Sequence, residues 1–180
     1  MIIIALKAKN GAGKTTVATM LSKKLDEKGI SNKVLSFAEP LKKIVDKAFF
    51  PKKSPLNWEN RDEKEVGRNL LETTADAIKS SFSFNPFGQQ MLNQLTIFDT
   101  NNLYDPNSVA IISDLRFEDE YSGLQNWLSS DDELFVLEIQ NVLTDNNPPE
   151  YDELLIKADK TLIFGKDIEV QLDSLIKEIL

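Results

Sequence analysis

MIIIALKAKNGAGKTT, residues 1–16, decides how the rest of the chain is read. Residues 2–7 form an apolar run of the kind found in strands buried on both faces. A glycine-bearing turn follows. Lys14, Thr15 and Thr16 then open a stretch in which Val17, Leu21 and Leu25 recur at helical spacing, with Gly29 as the stop. Between strand and helix, Ala8 to Thr15 follow the pattern G-x-x-x-x-G-K-[ST], except that alanine takes the first glycine's place. In a turn of this kind, successive backbone N–H groups and the helix N-terminus converge on a polyphosphate. Gly11 and Gly13, on either side of Ala12, let the backbone come close to it. Lys14 would reach the β- and γ-phosphates, and the Thr15 hydroxyl suits a magnesium ion.

Outward from this unit, strands and helices alternate. "KVLSFA" (33–38), "SVAIISD" (108–114), "ELFVLEIQ" (133–140) and "KTLIF" (160–164) read as further strands. Helices are expected over 14–28, 39–50, 62–80, 86–97, 117–128 and 167–180, with Pro40 tolerated in a first turn. Alternation of this sort predicts an α/β fold with a doubly wound, five-stranded, mostly parallel sheet. The chain reads as a single domain, 1–180, with one long helical insertion at about 49–107 and a polar segment at about 141–157. Ligands of open α/β sheets sit at the carboxyl ends of the strands, which makes the insertion a natural cover for a substrate.

Composition narrows the chemistry. With no cysteine and no histidine among the 180 residues, disulfides, Cys/His zinc sites and imidazole catalysis are excluded. Any metal must be held by oxygen, which favours magnesium. A net charge of −8 without a basic block argues against nucleic acid as a partner and leaves a small anionic molecule bound in a local positive pocket. No run approaches the length of a membrane span, and the N-terminus lacks the features of an export signal, so a cytoplasmic protein without membrane contact is expected. Monomer and homodimer are both open. Only Arg61, Arg68 and Arg116 are arginines; the other basic residues are lysines, so each arginine marks either a planar fork of donors or a surface ion pair.

"ISDLRFEDE" closes the third strand. Asp114 at its tip can hold magnesium, or can cap the following helix. Arg116 can point into the same crevice toward a transferring phosphoryl group, or can pair with Glu118 or Glu120. Lys9 raises a rival reading: "KNGAGKTT" is similar to the K-G-G-x-G-K-T-T loop of deviant-Walker partition ATPases. That likeness ends after about ten residues. The second strand runs into "VLSFAEPLKK" rather than the acidic ending of that family.

Taken together, "NGAGKTT", "SFAEPLKK", "GRNLLE", "SDLRFEDE" and "ADKTLIFGK" resemble, in order, the motifs of phage-type deoxynucleoside monophosphate kinases. The resemblance implies a P-loop kinase fold that moves a phosphoryl group from ATP to a (deoxy)nucleoside monophosphate with Mg2+. By position it assigns Lys14, Thr15 and Thr16 to the phosphate loop, and Glu39, Arg68, Arg116 and Glu120 to the acceptor; Arg61, outside those motifs, is placed to assist from the loop before the third helix. Asp114 and Thr15 fall to the metal, and Lys14, Asp114 and Arg116 to catalysis. Two departures stand out. Thr15 occupies a position where the family often has aspartate. The resemblance also predicts a basic lid over 141–157, yet Asp145, Glu150, Asp152 and Glu153 face a single cation there, Lys157.

A monophosphate is mostly dianionic at neutral pH and needs no strong base, in keeping with a chain that lacks histidine. The alternatives are a kinase for another small acceptor, such as dephospho-coenzyme A or a nucleoside, and a partition or switch ATPase. Phe49, Phe50, Trp58, Phe82, Phe84 and Phe87 crowd the insertion as its core or as stacking faces for a base.

Overall fold

The computed structural model describes residues 1–9, 11–49, 61–82, 85–102, 105–141, 156–165 and 167–180, and for 61–66 the backbone alone. Within them every expected strand and helix is present. In chain order they are β1 (Ile2–Lys7), α1 (Lys14–Glu27), β2 (Asn32–Leu35), α2 (Glu39–Phe49), α3 (Arg61–Ser80), α4 (Pro86–Asn101), β3 (Val109–Ile112), α5 (Glu118–Trp127), β4 (Glu133–Gln140), β5 (Lys160–Ile163) and α6 (Ile168–Ile179).

The strands form one sheet of five in the order β2-β3-β1-β4-β5, and all four pairings are parallel. β1 is central. Ile2 and Ile4 stand opposite Val109 and Ile111 on one side and Glu133 and Phe135 on the other. Helical crossovers cover such a sheet on both faces, so β1 is buried along its whole length, in line with its unbroken apolar sequence. On one face Ile2, Ile4 and Leu6 join Val17, Leu21 and Leu25 of α1 and Leu172, Leu175 and Ile176 of α6 in a single core. Fully burying a leucine or isoleucine contributes about 1.5–3 kcal/mol, so the i, i+4, i+8 stripe of α1 holds this helix to the sheet more firmly than its intrinsic propensity does. Gly29 ends the helix as expected: at φ 71 it lets Ile30 N–H bond back to the Leu25 carbonyl at 3.0 Å.

Two strands are shorter than their apolar patterns. β2 stops at Leu35 because the chain is already turning into α2, whose first backbone acceptor is the Ala38 carbonyl (Lys42 N–H at 2.9 Å). β3 stops at Ile112, although Ser113 N–H still reaches the Leu35 carbonyl at 3.0 Å. α4 runs past 97 to Asn101 through a polar stretch. Thr96 and Thr100 donate their hydroxyls to the Leu92 and Thr96 carbonyls one turn back, at 2.9 and 2.7 Å, so both hydroxyls are satisfied inside the helix.

At the outer strand β5, the side-chain amide of Gln171 meets the backbone of Ile163 twice. It accepts the Ile163 N–H at 2.9 Å and donates to the Ile163 carbonyl at 3.0 Å. α1 and α6 are further joined by the pair Lys24–Asp173 at 2.9 Å.

The chain divides into two compact units: Met1–Ser36 with Met91–Leu180, which carries the sheet, and Phe37–Gln90, which is helical. In the second unit Pro40, Leu41 and Val45 form the buried side of α2. Among the described residues no helix is long and apolar enough to cross a membrane.

Candidate functional site

Between the last residue of β1 and the first of α1 the chain must turn within residues 8–13. Gly11 (φ 80) and Gly13 (φ 100) both lie in the left-handed region, where a side chain is disfavoured. A bond from Ala12 N–H to the Lys9 carbonyl at 3.1 Å closes the turn; Asn10 lies outside the described residues. The alanine that breaks the sequence pattern has a structural reason. Ala8 and Ala12 are buried in the main core, so their methyl groups anchor the loop from beneath.

Gly13 is the N-cap of α1 and brings no side-chain cap, and no acidic residue lies in the first turn. A helix start without an acidic side chain in its own cap or first turn is an arrangement that suits an anion. Lys14 is buried, and its Nζ donates to the Ala8 carbonyl, so the side chain lies along the loop it belongs to. Thr15 and Thr16 are exposed beside it. The ring of Phe164, just beyond β5, presses against the loop: a Cβ placed on Gly13 would lie 3.1 Å from its Cδ2 and Cε2.

The neighbouring strand β3 supplies a second group of residues. Leu115 N–H donates to the Leu6 carbonyl at 3.1 Å, which ties the exit of β3 to the end of β1 where the glycine-bearing loop starts. Asp114 precedes that link. Its Oδ2 accepts the Ser36 hydroxyl at 2.7 Å, so the tip of β2 fixes the carboxylate. The N-cap of α5 is Phe117, which removes the helix-capping role open to Asp114 from sequence. Arg116 is half-buried. Glu120 meets it through the backbone: Oε2 accepts the N–H groups of Arg116 at 3.0 Å and Phe117 at 3.2 Å. Glu120 is only 6% exposed, and this burial, aided by the nearby charges of Asp114 and Asp119 and opposed by the two backbone bonds, pushes its carboxyl up to about 8.

In the helical unit, Glu39 opens α2 and pairs with Lys43 at 3.3 Å, and Arg68 is half-buried on α3. The side chain of Arg61, the aromatic residues Phe50, Trp58 and Phe84, and residues 142–155 of the expected lid lie outside the described residues.

Four residues at or near the site were not marked by the sequence. Ser36 and Phe164 owe their places to strand order, which brings the tips of β2 and β5 to the end of the sheet where β1 opens into the loop. Lys7 is buried and donates to the Ile156 carbonyl. Asp159 exchanges bonds with Val136, its carboxylate accepting the Val136 N–H at 2.7 Å and its own N–H donating to the Val136 carbonyl at 2.8 Å, which ties the "AD" of "ADKTLIF" to β4. A signal existed only for Ser36, a hydroxyl at the carboxyl end of an apolar strand.

The oxygen donors present, the Thr15 hydroxyl and the Asp114 carboxylate, are hard ligands of the type magnesium takes. Among the described residues no group of three or more acidic side chains stands together as a metal site. A cation here would draw most of its ligands from phosphate and water, as magnesium commonly does.

No protein-family model matches the chain, and no curated protein matches its sequence. Solved structures do. The Mycobacterium tuberculosis APS kinase CysC, as a Cys556Ala mutant, aligns with a TM-score of 0.53 at 14% identity over 97% of this chain and 94% of that one. The same kinase in complex with AMPPNP and APS aligns with a TM-score of 0.53 at 14% identity, covering 97% and 95%. At this identity the likeness is one of fold. The five-stranded parallel sheet with its flanking helices is the fold that this chain shares with the APS kinase.

Proposed function

We propose that this protein is an ATP-dependent kinase that phosphorylates a (deoxy)nucleoside monophosphate to the diphosphate. One observation carries the reading. A glycine loop with two left-handed residues delivers Lys14 and Thr15 to an uncapped helix start, while Asp114 and Arg116 leave the adjacent strand. The APS kinase that shares the fold was solved with AMPPNP, which supports ATP as the donor. The motif resemblance supports the monophosphate as acceptor.

In this reading Gly11 and Gly13 offer backbone N–H groups to the ATP phosphates, Ala12 holds the turn between them through its bond to the Lys9 carbonyl, and Lys14 neutralises the phosphate charge. Thr15 and Asp114 would hold magnesium, which supplies further neutralisation of the phosphate oxygens; Thr16 adds a hydroxyl at the loop. An acceptor phosphate oxygen forms a bond to the γ-phosphorus as the bond to the β-bridging oxygen breaks, and ADP leaves. The obstacle is the approach of two anions, which positioning and cationic side chains overcome without a general base. Arg116 faces the transferring group. On the motif resemblance, Arg68 holds the acceptor phosphate and Glu39 its sugar or base, while Arg61, the first residue of α3, would assist.

The neighbour solved with APS also favours a second reading, a kinase for a different small acceptor. A panel of nucleoside and deoxynucleoside monophosphates, nucleosides, dephospho-coenzyme A and APS, each assayed with Mg-ATP, separates the two. Turnover stimulated by a monophosphate alone supports the first. Stimulation by another acceptor supports the second, and slow hydrolysis indifferent to all of them refutes both.

A further inference from the structure

Glu120 is a carboxyl placed where carboxyls rarely go. It is among the few polar side chains buried in the described residues, and it stands third in α5. A glutamate at this helical position commonly reaches back to the N-cap N–H and does no more than cap the helix. Here the same oxygen also takes the N–H of Arg116, one residue upstream of the cap, at 3.0 Å, the shorter of the two bonds. The extra bond reaches the stretch that matters. Leu115 is tied to β1 through the Leu6 carbonyl, Asp114 is held by Ser36, and Glu120 closes the far end at Arg116 and Phe117. Every backbone donor from Leu115 to Phe117 thus has a fixed partner. The helix cap needs one of those bonds. The other sets where the Arg116 side chain begins.

We infer that Glu120 is a positioning residue for phosphoryl transfer: buried and bonded to main chain, it acts through the backbone of Arg116 rather than by touching the substrate. The inference rests on the kinase reading for its kinetic consequence and on hydrogen-bond geometry alone for its structural one. A misplacement of about 1 Å in a catalytic group can cost on the order of a hundredfold in rate, so loss of this tether belongs in kcat.

The test compares Glu120→Ala, Glu120→Gln, Arg116→Ala and the double variant Glu120→Ala/Arg116→Ala in the full chain. Turnover is measured with Mg-ATP and a saturating equimolar mixture of dAMP, dCMP, dGMP and dTMP. Glu120→Ala is expected to lower kcat about 10–100-fold with the KM for ATP within about twofold. Glu120→Gln, which keeps an accepting oxygen, should stay within about threefold of the parent. In the Arg116→Ala background the Glu120→Ala change should cost less than about twofold more, the non-additivity of residues that act as one unit. Equal fold losses in both backgrounds, or full kcat in Glu120→Ala, overturn the inference. Amide hydrogen exchange supplies the arm that is independent of the kinase reading. Arg116 and Phe117 should lose protection in Glu120→Ala and keep it in Glu120→Gln, while β1 amides stay unchanged. Unaltered exchange overturns the inference whatever the enzyme does. Lost protection in a protein without phosphoryl transfer to any monophosphate upholds the tether and refutes the monophosphate-kinase reading instead.

Discussion

Replacing Gly13 by alanine adds one methyl group in a place where the fold resists it twice. The residue sits at φ 100, in the region that L-residues enter at a cost of about 1–2 kcal/mol. The new Cβ would lie 3.1 Å from two ring carbons of Phe164, tighter than ordinary contact, and overpacking of this kind costs about 1–3 kcal/mol. Together these give a destabilisation of about 2–5 kcal/mol, or a fall of about 4–20 °C in Tm for a domain of this size. The two sources separate in a cycle with Phe164→Ala. Removing the ring leaves the backbone strain in place but frees the methyl group, so the pair should couple by about 1–3 kcal/mol. Urea and thermal unfolding of the four proteins measure this. A Gly13→Ala variant within about 0.5 kcal/mol of the parent, or strict additivity with Phe164→Ala, would refute the strain argument and the ring contact respectively.

Lys14→Ala should abolish phosphoryl transfer without unfolding the chain, each hydrogen bond lost, the one to the Ala8 carbonyl among them, costing about 1 kcal/mol, so that melting and turnover part company; full activity in the mutant removes the phosphate-loop assignment. Arg68→Lys should mainly raise the KM for the monophosphate and Arg116→Lys mainly lower kcat, each by roughly tenfold to a hundredfold, because lysine lacks the planar fork. Steady-state kinetics matching the parent for both would make these arginines surface charges. Glu120 predicts a pH effect with a definite sign: its carboxyl rises from 4.5 to about 8 on folding, so the folded state holds a proton that the unfolded chain releases. Stability should fall as pH climbs from about 4.5 to 8, by at most about 5 kcal/mol, and Glu120→Gln should flatten that slope; identical urea midpoints for parent and variant relative to one another at pH 5.5 and 8.5 would contradict it.

The sheet was legible in the sequence because its inner strands β1 and β3 are buried along their whole length and so carry unbroken apolar runs. Strand ends were less so. "KVLSFA" continues its apolar pattern through Phe37 and Ala38, but these residues already belong to the turn into α2, and burial outside a strand looks the same in one dimension as burial within it. Strand order has no local signature, so nothing in the sequence put Ser36 beside Asp114 or Phe164 beside Gly13. Lys14 and Thr15 were legible because the loop's chemistry is contiguous. Glu120 was visible as part of a motif, but its burial and its backbone partners depend on how α5 meets the exit of β3.

Gln171 has a meaning beyond its two bonds. An outermost strand presents unpaired N–H and C=O groups, and a strand from another molecule can add to them, which is how ordered proteins begin to aggregate. At Ile163, whose side chain is more than half exposed, those groups are already answered by an amide from the protein's own helix. Gln171 gives β5 the partner that a sixth strand would supply, and a foreign strand seeking this rung would first have to displace it.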